Sequence, residues 1–443
     1  MTKYFGTDGV RGRVEEVLTV DMAYRIGRFI GQYPNGKRNR IVISRDTRIS
    51  GKKLLDALTK GIRLSGGDVF DEGVSTTPSI SYIVDKEGFD YGIMISASHN
   101  PYYDNGIKIF DAKGKKLSSD IEELIEIYMD SPTDHLPRFE GSELGNLSNG
   151  GSLREEYIQF LISKAKFDFT NLRVLVDCAN GSASNVAPQV FKSLGINAKF
   201  INNNPDGLNI NEHCGSTHID TLIAQSRNDS YDMCFAFDGD ADRLLVVKDG
   251  EVIDGDTMIY MTAISKYDRE RLDNNAVVIT VMSNLGLKLA LERKNIQYIE
   301  VDVGDKYVQA KLEELDLSLG GEQSGHIIFY HDLNTGDGIL TAIKMMTLYV
   351  GNGYSFEELK KDLTIFPQVL INVKVNDKKV VLNDEGLLKL IEKEKAILGK
   401  EGRLLVRPSG TEPLVRVMTE ARTLEICQGV CDRIKEYIKK LGL

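Results

Sequence analysis

The chain has 443 residues, 42% of them hydrophobic, which suits a globular protein with a large core divided among about three domains. Lys plus Arg number 55 against 65 for Asp plus Glu, a formal net charge of −10, so the overall field favours neither nucleic acid nor anionic membrane, and any anionic ligand has to be held by local basic groups. No apolar run reaches the length of a membrane span (Leu340 to Val350 is broken by Lys344), Met1 to Gly12 lacks a secretion signal's apolar stretch, and the five cysteines contain no CxxC pair; a cytoplasmic protein is expected.

In chain order, Gly6 to Gly12 first sets Arg11 on a glycine-flanked turn. The apolar run Ile41 to Ile43 then leads into Arg45-Asp46-Thr47-Arg48, a helical stretch follows, Val69 leads to Gly73, and Gly92 to Ile95 runs into Ser96-Ala97-Ser98-His99. Asn146 to Ser152, rich in Gly, Ser and Asn, is expected to be a linker. The same order then recurs: Val174 to Val176 into Asp177 to Gly181, a helix, Ala198 to Ile201, and Met233 to Phe237 into Asp238-Gly239-Asp240-Ala241-Asp242-Arg243. A third copy has Val277 to Val281 into Ser283 to Gly286, a helix to Arg293, Tyr298 to Val303, and Leu315 to Leu319 into Gly320-Gly321-Glu322-Gln323-Ser324-Gly325-His326. From about Leu370 the pattern changes to strand, helix (Asp384 to Leu398), strand, the turn Arg407 to Pro413, strand, and a last helix with an expected core stripe of Ile426, Val430, Ile434, Tyr437 and Leu441. Cys427 and Cys431 on that helix are expected to pack in the core.

Strands alternating with helices predict an α/β fold: three related domains with mixed, largely parallel sheets, at 1–155, 156–254 and 255–368, plus a smaller domain at 369–443. Ligands of such sheets bind beyond the carboxyl ends of strands, so the polar loops of the three repeats are expected to converge.

Three carboxylates at alternate positions, Asp238, Asp240 and Asp242, raise one another's pKa and repel unless a cation lies among them. An all-oxygen set without His or Cys suits Mg²⁺, and an EF-hand fails because Arg243 stands where the turn needs Gly and Asp249 where the bidentate Glu belongs. Ser98 beside His99 suggests a hydrolase triad, but the nucleophile elbow needs glycines where Ser96 and Asn100 stand. Beside a cation, a phosphorylated Ser98 supplies a ligand oxygen instead. Glu322 and Ser324 form a pair able to bond adjacent hydroxyls or an amine, and Arg407 to Pro413 offers backbone N–H groups, two hydroxyls and a guanidinium to a phosphate, with Arg416 close behind.

These loops, SASHNP, DGDADR, GEQSG and RPSGTEP in this order, resemble the α-D-phosphohexomutases over nearly the whole chain. FGTDGVRG from Phe5, SASHNPYYDNGIK from Ser96, PDGLNIN from Pro205, CGSTH from Cys214 and GGEQSGH are similar to the bacterial branch that interconverts glucosamine 6-phosphate and glucosamine 1-phosphate, on the route to UDP-N-acetylglucosamine and the cell wall. The resemblance implies a TATA-binding-protein-like C-terminal domain, one Mg²⁺, a glucosamine or glucose 1,6-bisphosphate intermediate, and a homodimer as the common assembly. It also implies site roles: Ser98 as the phosphorylated residue and, with Asp238, Asp240 and Asp242, a metal ligand; Arg11, Lys108, His326, His99 and Arg243 for charge stabilisation and proton transfer; Glu322 and Ser324 on the sugar; and Arg407, Ser409, Gly410, Thr411 and Arg416 on the distal phosphate. Lys306 and Ser44 depart from the branch pattern, which usually has Arg and Gly there, and Lys306 keeps the charge without bidentate geometry.

Overall fold

A computed structural model describes residues 3–33, 38–265, 272–351, 353–409 and 413–441. The chain forms two compact units, Met1–Val281 with Gln297–Leu359, and Met282–Ile296 with Lys360–Leu443.

The first unit contains three sheets. Strands β1 (Phe5–Gly6), β2 (Gly9–Arg13), β3 (Arg40–Arg45), β4 (Asp68–Val74), β5 (Tyr91–Ile95), β6 (Asp104–Phe110) and β7 (Leu147–Asn149) form one, ordered β1-β2-β6-β5-β3-β4-β7. Strands β8 (Arg173–Asp177), β9 (Asn197–Ile201), β10 (Met233–Phe237), β11 (Leu244–Lys248) and β12 (Glu251–Ile253) are ordered β12-β11-β10-β8-β9. Strands β13 (Ala276–Thr280), β14 (Gln297–Val301), β15 (Leu319–Gly321) and β16 (Ile327–Phe329) are ordered β14-β13-β15-β16. In each sheet the first strand of the repeat pairs in parallel with the second and third, and the third pairs antiparallel with a fourth.

That fourth strand makes each of the three loops the connection of a hairpin, closed by the pairs Ile95↔Ile107, Phe237↔Leu244 and Gly321↔Ile327. Continuous apolar runs form the central strands because both faces are covered: all five residues of β5 and of β10 are buried. In the first domain, helices Val20–Ile30 and Gly51–Leu64 approach closely at Gly27, where an added Cβ would lie 2.4 Å from the Leu58 carbonyl oxygen.

Three expectations are corrected. Asn146 to Ser152 is not a free linker: Leu147–Asn149 joins the edge of the first sheet beside β4, and the helix Gly151–Ser163 begins directly after it. The third strand of the third repeat is Leu319–Gly321, since the preceding helix runs Asp305–Leu315 and takes up the start of the expected strand. In the last helix, Leu424–Lys440, Val430 and Ile434 are buried and Tyr437 and Leu441 pack against the core as expected, but Ile426 is 45% exposed and Cys427, Cys431 and Ile438 complete the buried face.

The five cysteines are buried and unpaired. Lys344 is buried in the helix Gly338–Gly351 with its ammonium 2.8 Å from Asp332, and no helix of the described residues is long and apolar enough to cross a membrane. The second unit carries the antiparallel sheet of β17 (Gln368–Lys374), β18 (Arg403–Pro408) and β19 (Leu414–Glu420), ordered β17-β19-β18, with helices Glu385–Leu398 and Leu424–Lys440. It also contains the helix Leu285–Arg293 that lies between β13 and β14 in sequence.

Candidate active site

Ser98 sits in the β5–β6 connection with φ 51°, a left-handed conformation that disfavours any residue with a Cβ by about 1–2 kcal/mol. Several groups hold it there. Its N–H donates to Ser96 Oγ at 2.9 Å, and the Ser96 hydroxyl donates to Asp46 Oδ2 at 2.5 Å. Asp46 is paired with Arg48, both fully enclosed. Burial raises the Asp46 pKa, and Arg48 and the Ser96 hydroxyl counter only part of that rise. Arg48 Nη2 donates to the carbonyl oxygens of Ser98 (3.1 Å) and Asn100 (2.5 Å), and Asn211 Nδ2, from the second repeat, donates to the same two at 2.9 and 3.0 Å. Gly239 closes the other side, where a Cβ would come within 2.4 Å of the Ser98 carbonyl oxygen.

The Ser98 hydroxyl donates to Asp238 Oδ2 at 2.6 Å, which joins the serine loop to the acidic loop. Asp238, Asp240 and Asp242 are buried, and each offers a ligand atom within 4.8 Å of the others. Burial, then Asp242 and Asp240, push the Asp238 carboxyl well above the carboxylate range. Burial and Asp242 also oppose ionisation of Asp240, yet its pKa falls, because the Lys108 ammonium lies 2.7 Å from Oδ2 and the Thr77 hydroxyl donates to the same oxygen. Asp242 is held well down against its own burial by Lys108, His326 and Arg243. Oδ1 of Asp240 and Oδ1 of Asp242 are buried and accept no hydrogen bond from the described residues. Unsatisfied carboxylate oxygens around a group that cannot easily ionise fit a hard divalent cation, and the donor set contains no nitrogen or sulfur.

Around the acids stand the basic groups. Arg11, on β2, bonds Asp8 and leaves Nε buried without a partner among the described residues. Arg243 Nε is buried and makes no hydrogen bond among the described residues, lying 3.8 Å from Asp242 Oδ1, and burial notwithstanding, Asp242, Asp238 and Glu322 raise the Arg243 pKa. His326 is buried, with Nδ1 3.6 Å from Asp242 Oδ2; burial alone would lower its pKa, but Asp242 and Asp305 raise it. Its Nε2 accepts the Gly336 N–H at 3.1 Å. His99 Nδ1 lies 3.2 Å from Ser98 Oγ, and burial with the charges of Arg243 and Arg11 lowers its pKa to about 4, so the imidazole is neutral near pH 7.

The Gly320–His326 loop is tied to the second repeat, because Leu244 N–H donates to the Gly325 carbonyl at 3.1 Å and Gly255 N–H to that of Gln323 at 3.0 Å. Glu322 Oε1 accepts the Gly304 N–H at 3.1 Å, while Ser324 Oγ is buried with no partner among the described residues. The first unit therefore assembles Ser98, His99, Arg11, Lys108, the three Asp, Arg243, Glu322, Ser324 and His326. Lys306 is half-buried with its ammonium over the Tyr307 ring, 5.4 Å from the centroid, and Ser44 is buried with its hydroxyl donating to the Gly73 carbonyl at 3.1 Å.

In the second unit, Arg407 and Arg416 are directly opposite across the β18–β19 ladder. Ser409 is buried, and its carbonyl accepts from Lys378 Nζ at 2.7 Å. Gly410 and Thr411 lie outside the described residues.

Residues of the first-unit site that escaped the sequence reading include Asp8, Asp46, Arg48, Thr77, Lys116, Asn211 and Asp305. Asp8 bonds Arg11, Lys108 and Lys116, and only its place three residues before Arg11 on one glycine-rich turn marks it.

The chain matches the phosphoglucomutase/phosphomannomutase α/β/α domains I, II and III over residues 2–135, 155–251 and 254–365, and the C-terminal domain of that family over 370–436. It belongs to this family. It is 45% identical over 444 residues to a phosphoglucosamine mutase of Lachnoclostridium phytofermentans, covering 100% of this chain and 99% of that one. A Bacillus subtilis phosphoglucosamine mutase is 43% identical over 447 residues, 100% of both chains. A phosphoglucomutase/phosphomannomutase family protein of Burkholderia thailandensis superposes with TM-score 0.79 at 25% identity, over 99% of this chain and 98% of that one. The fold is shared with Aspergillus fumigatus N-acetylphosphoglucosamine mutase in complex with GlcNAc-6P and magnesium, TM-score 0.74 at 18% identity, over 100% of this chain and 96% of that one.

Proposed function

We propose that this phosphohexomutase interconverts glucosamine 6-phosphate and glucosamine 1-phosphate. The observation that carries the reading is the Ser98 hydroxyl donating to Asp238 inside the buried triad, 2.6 Å away, on a chain 45% identical over its full length to a phosphoglucosamine mutase. In the forward half-reaction the bond from phosphorus to Ser98 Oγ breaks and one to the free sugar hydroxyl forms. The bisphosphate then turns and returns its other phosphate to Ser98.

A hard divalent cation, for which we choose Mg²⁺, would be held by Asp238, Asp240, Asp242 and an oxygen of phosphorylated Ser98, and would neutralise charge on the transferring group. Arg11 and Arg243, each with a buried Nε that makes no hydrogen bond among the described residues, supply donors to phosphoryl oxygens. Glu322 and Ser324 orient the sugar, and Arg407, Ser409 and Arg416 are the phosphate-binding group of the second unit. The hydroxyl proton has two candidate acceptors, Lys108 and His326. His326 Nε2 accepts the Gly336 N–H, so the neutral ring keeps its proton on Nδ1, toward Asp242, while Lys108, whose ammonium lies against Asp8, Asp240 and Asp242, accepts a proton only after losing one.

The test is intact-protein mass before and after incubation with glucose 1,6-bisphosphate, paired with turnover of glucosamine 6-phosphate and glucose 6-phosphate. Wild type should gain a phosphate that Ser98→Ala does not, and should prefer the glucosamine ester. An adduct persisting in Ser98→Ala, or a marked preference for the glucose ester, defeats the reading.

A further inference from the structure

The groups described so far leave Lys116 and Asp305 without a task. Lys116 follows β6 on a turn that bridges back to Phe110, and Asp305 opens the helix Asp305–Leu315 of the third repeat. The Lys116 ammonium contacts Asp8 Oδ1 on one side and Asp305 Oδ2 on the other. From Asp8 the contacts continue to Lys108 (2.9 Å), from Lys108 to Asp242 (3.6 Å), from Asp242 to His326 Nδ1 (3.6 Å), and from His326 Nε2 to Asp305 (3.9 Å). The path closes into a ring with its members supplied by all three repeats, and the His326–Asp305 link is an ion pair only when the imidazole is protonated. None of its side chains is more than 19% exposed.

Buried ion pairs contribute little net stability compared with apolar packing, so six such groups call for a role in geometry. A ring meets that need, because moving one repeat against the others separates two pairs at once and leaves buried charge uncompensated. The Asp305 end of the ring also reaches the sugar loop. Gly304, at φ 134°, is restricted to glycine, and its N–H donates to Glu322 Oε1. One turn therefore carries the carboxylate that grips Lys116 and the N–H that aims Glu322.

We propose that Lys116 and Asp305 are positioning residues: their ion pair registers the sugar loop, with Glu322 and His326, against the serine and acidic loops. The inference rests on the mutase reading above. It also separates the two residues from the reacting groups, since neither contacts Ser98, Asp238, Asp240 or Asp242 in the ring.

The experiment measures kcat and KM for the glucosamine and glucose 6-phosphates, with melting temperature, on wild type, Lys116→Met, Asp305→Asn, the double variant and Lys116→Arg. Misplacing the sugar loop should raise KM by about tenfold or more in each neutralising variant, and the single variants, which leave a buried charge without its partner, should also melt below wild type. The double variant should be no worse than the poorer single one, because both break one pair. Lys116→Arg, which keeps the charge and reaches both acids, should recover most of the loss. KM within twofold of wild type in the neutralising variants, or losses that multiply in the double variant, overturns the proposal. If Lys116→Met does not fold, the near-isosteric Asp305→Asn decides alone by the same KM criterion. A wild type inert on both sugar phosphates defeats the mutase reading, whereas an active wild type with unaffected variants defeats only the ring.

Discussion

Asn211→Asp isolates the clamp on the serine loop. Asn211 is itself left-handed, φ 59°, which Asp adopts at lower cost than Ala, so an alanine variant would mix backbone strain with the loss of the amide. In the wild type, Nδ2 donates to the Ser98 and Asn100 carbonyls at 2.9 and 3.0 Å, and Arg48 donates to the same pair. Replacing the amide nitrogen by a carboxylate oxygen removes two hydrogen bonds, about 1 kcal/mol each, and sets that oxygen against two carbonyl oxygens. Arg48 keeps both carbonyls partly satisfied, which bounds the damage. A loss of about 2–3 kcal/mol in the loop is comparable to the penalty for holding Ser98 left-handed, so the attack geometry should become a minor state. Expressed in kcat, this is a fall of about 30- to 150-fold. Mutase turnover measures it, with glucosamine 6-phosphate KM as the control, since Asn211 makes no contact with Glu322 or Ser324. A kcat within threefold of wild type would refute the argument that these carbonyl contacts hold the nucleophile.

Chelating divalent ions should abolish turnover, with activity returning on addition of Mg²⁺, and Asp240→Asn should lower kcat by about a hundredfold or more; undiminished activity in EDTA sinks the metal assignment. Arg407→Ala removes a guanidinium from the cross-strand pair and should raise KM for the sugar phosphate about tenfold or more while leaving bulk stability close to wild type; an unchanged KM contradicts a phosphate role for that turn. Glu72 gives a pH signature: it is buried on β4, and desolvation, only partly offset by Ser75, Ser79 and Arg154, pushes its carboxyl up to about 7. Below its unfolded pKa, about 4.3, it is protonated in both states and contributes nothing. Between there and about 7 the unfolded chain loses the proton first, so stability falls with rising pH, and above 7 the penalty is about 4 kcal/mol. Glu72→Gln should therefore melt higher than wild type at pH 8 and show little advantage at pH 4.5, and a pH-independent difference would contradict the raised pKa.

The repeats were legible because buried parallel strands are written as unbroken apolar runs, and Ile41 to Ile43, Val174 to Val176 and Val277 to Val281 are such runs. The fourth strands were missed: β16 is only Ile327–Phe329, and β6 begins with polar residues inside a signature stretch. The Gly320-Gly321 strand hid for another reason. Its close approach to Val278, 2.8 Å from an added Cβ to the carbonyl oxygen, demands glycine where strand propensity asks for bulk. At the site, the acids and the serine announced themselves by spacing. Asn211, Arg48 and Asp305 did not, because each acts on a loop distant in sequence and only the folded chain brings donor and acceptor together. Asn211 lay within a stretch already noted for its resemblance, PDGLNIN, yet nothing in that string says which carbonyls its amide will meet.

The hairpin closure of all three loops has a kinetic consequence for the proposed reaction. A connection pinned at both ends by laddered pairs such as Phe237↔Leu244 has little freedom to follow a ligand that changes its orientation. The cage stays stiff and the sugar does the tumbling, so the bisphosphate must release most of its grips in mid-cycle. Some molecules will diffuse away at that moment and strand the enzyme with an unmodified serine. In the proposed reaction, sustained flux would then depend on a standing pool of bisphosphate able to recharge the stalled fraction, and processivity would be a property of how slowly that cage leaks.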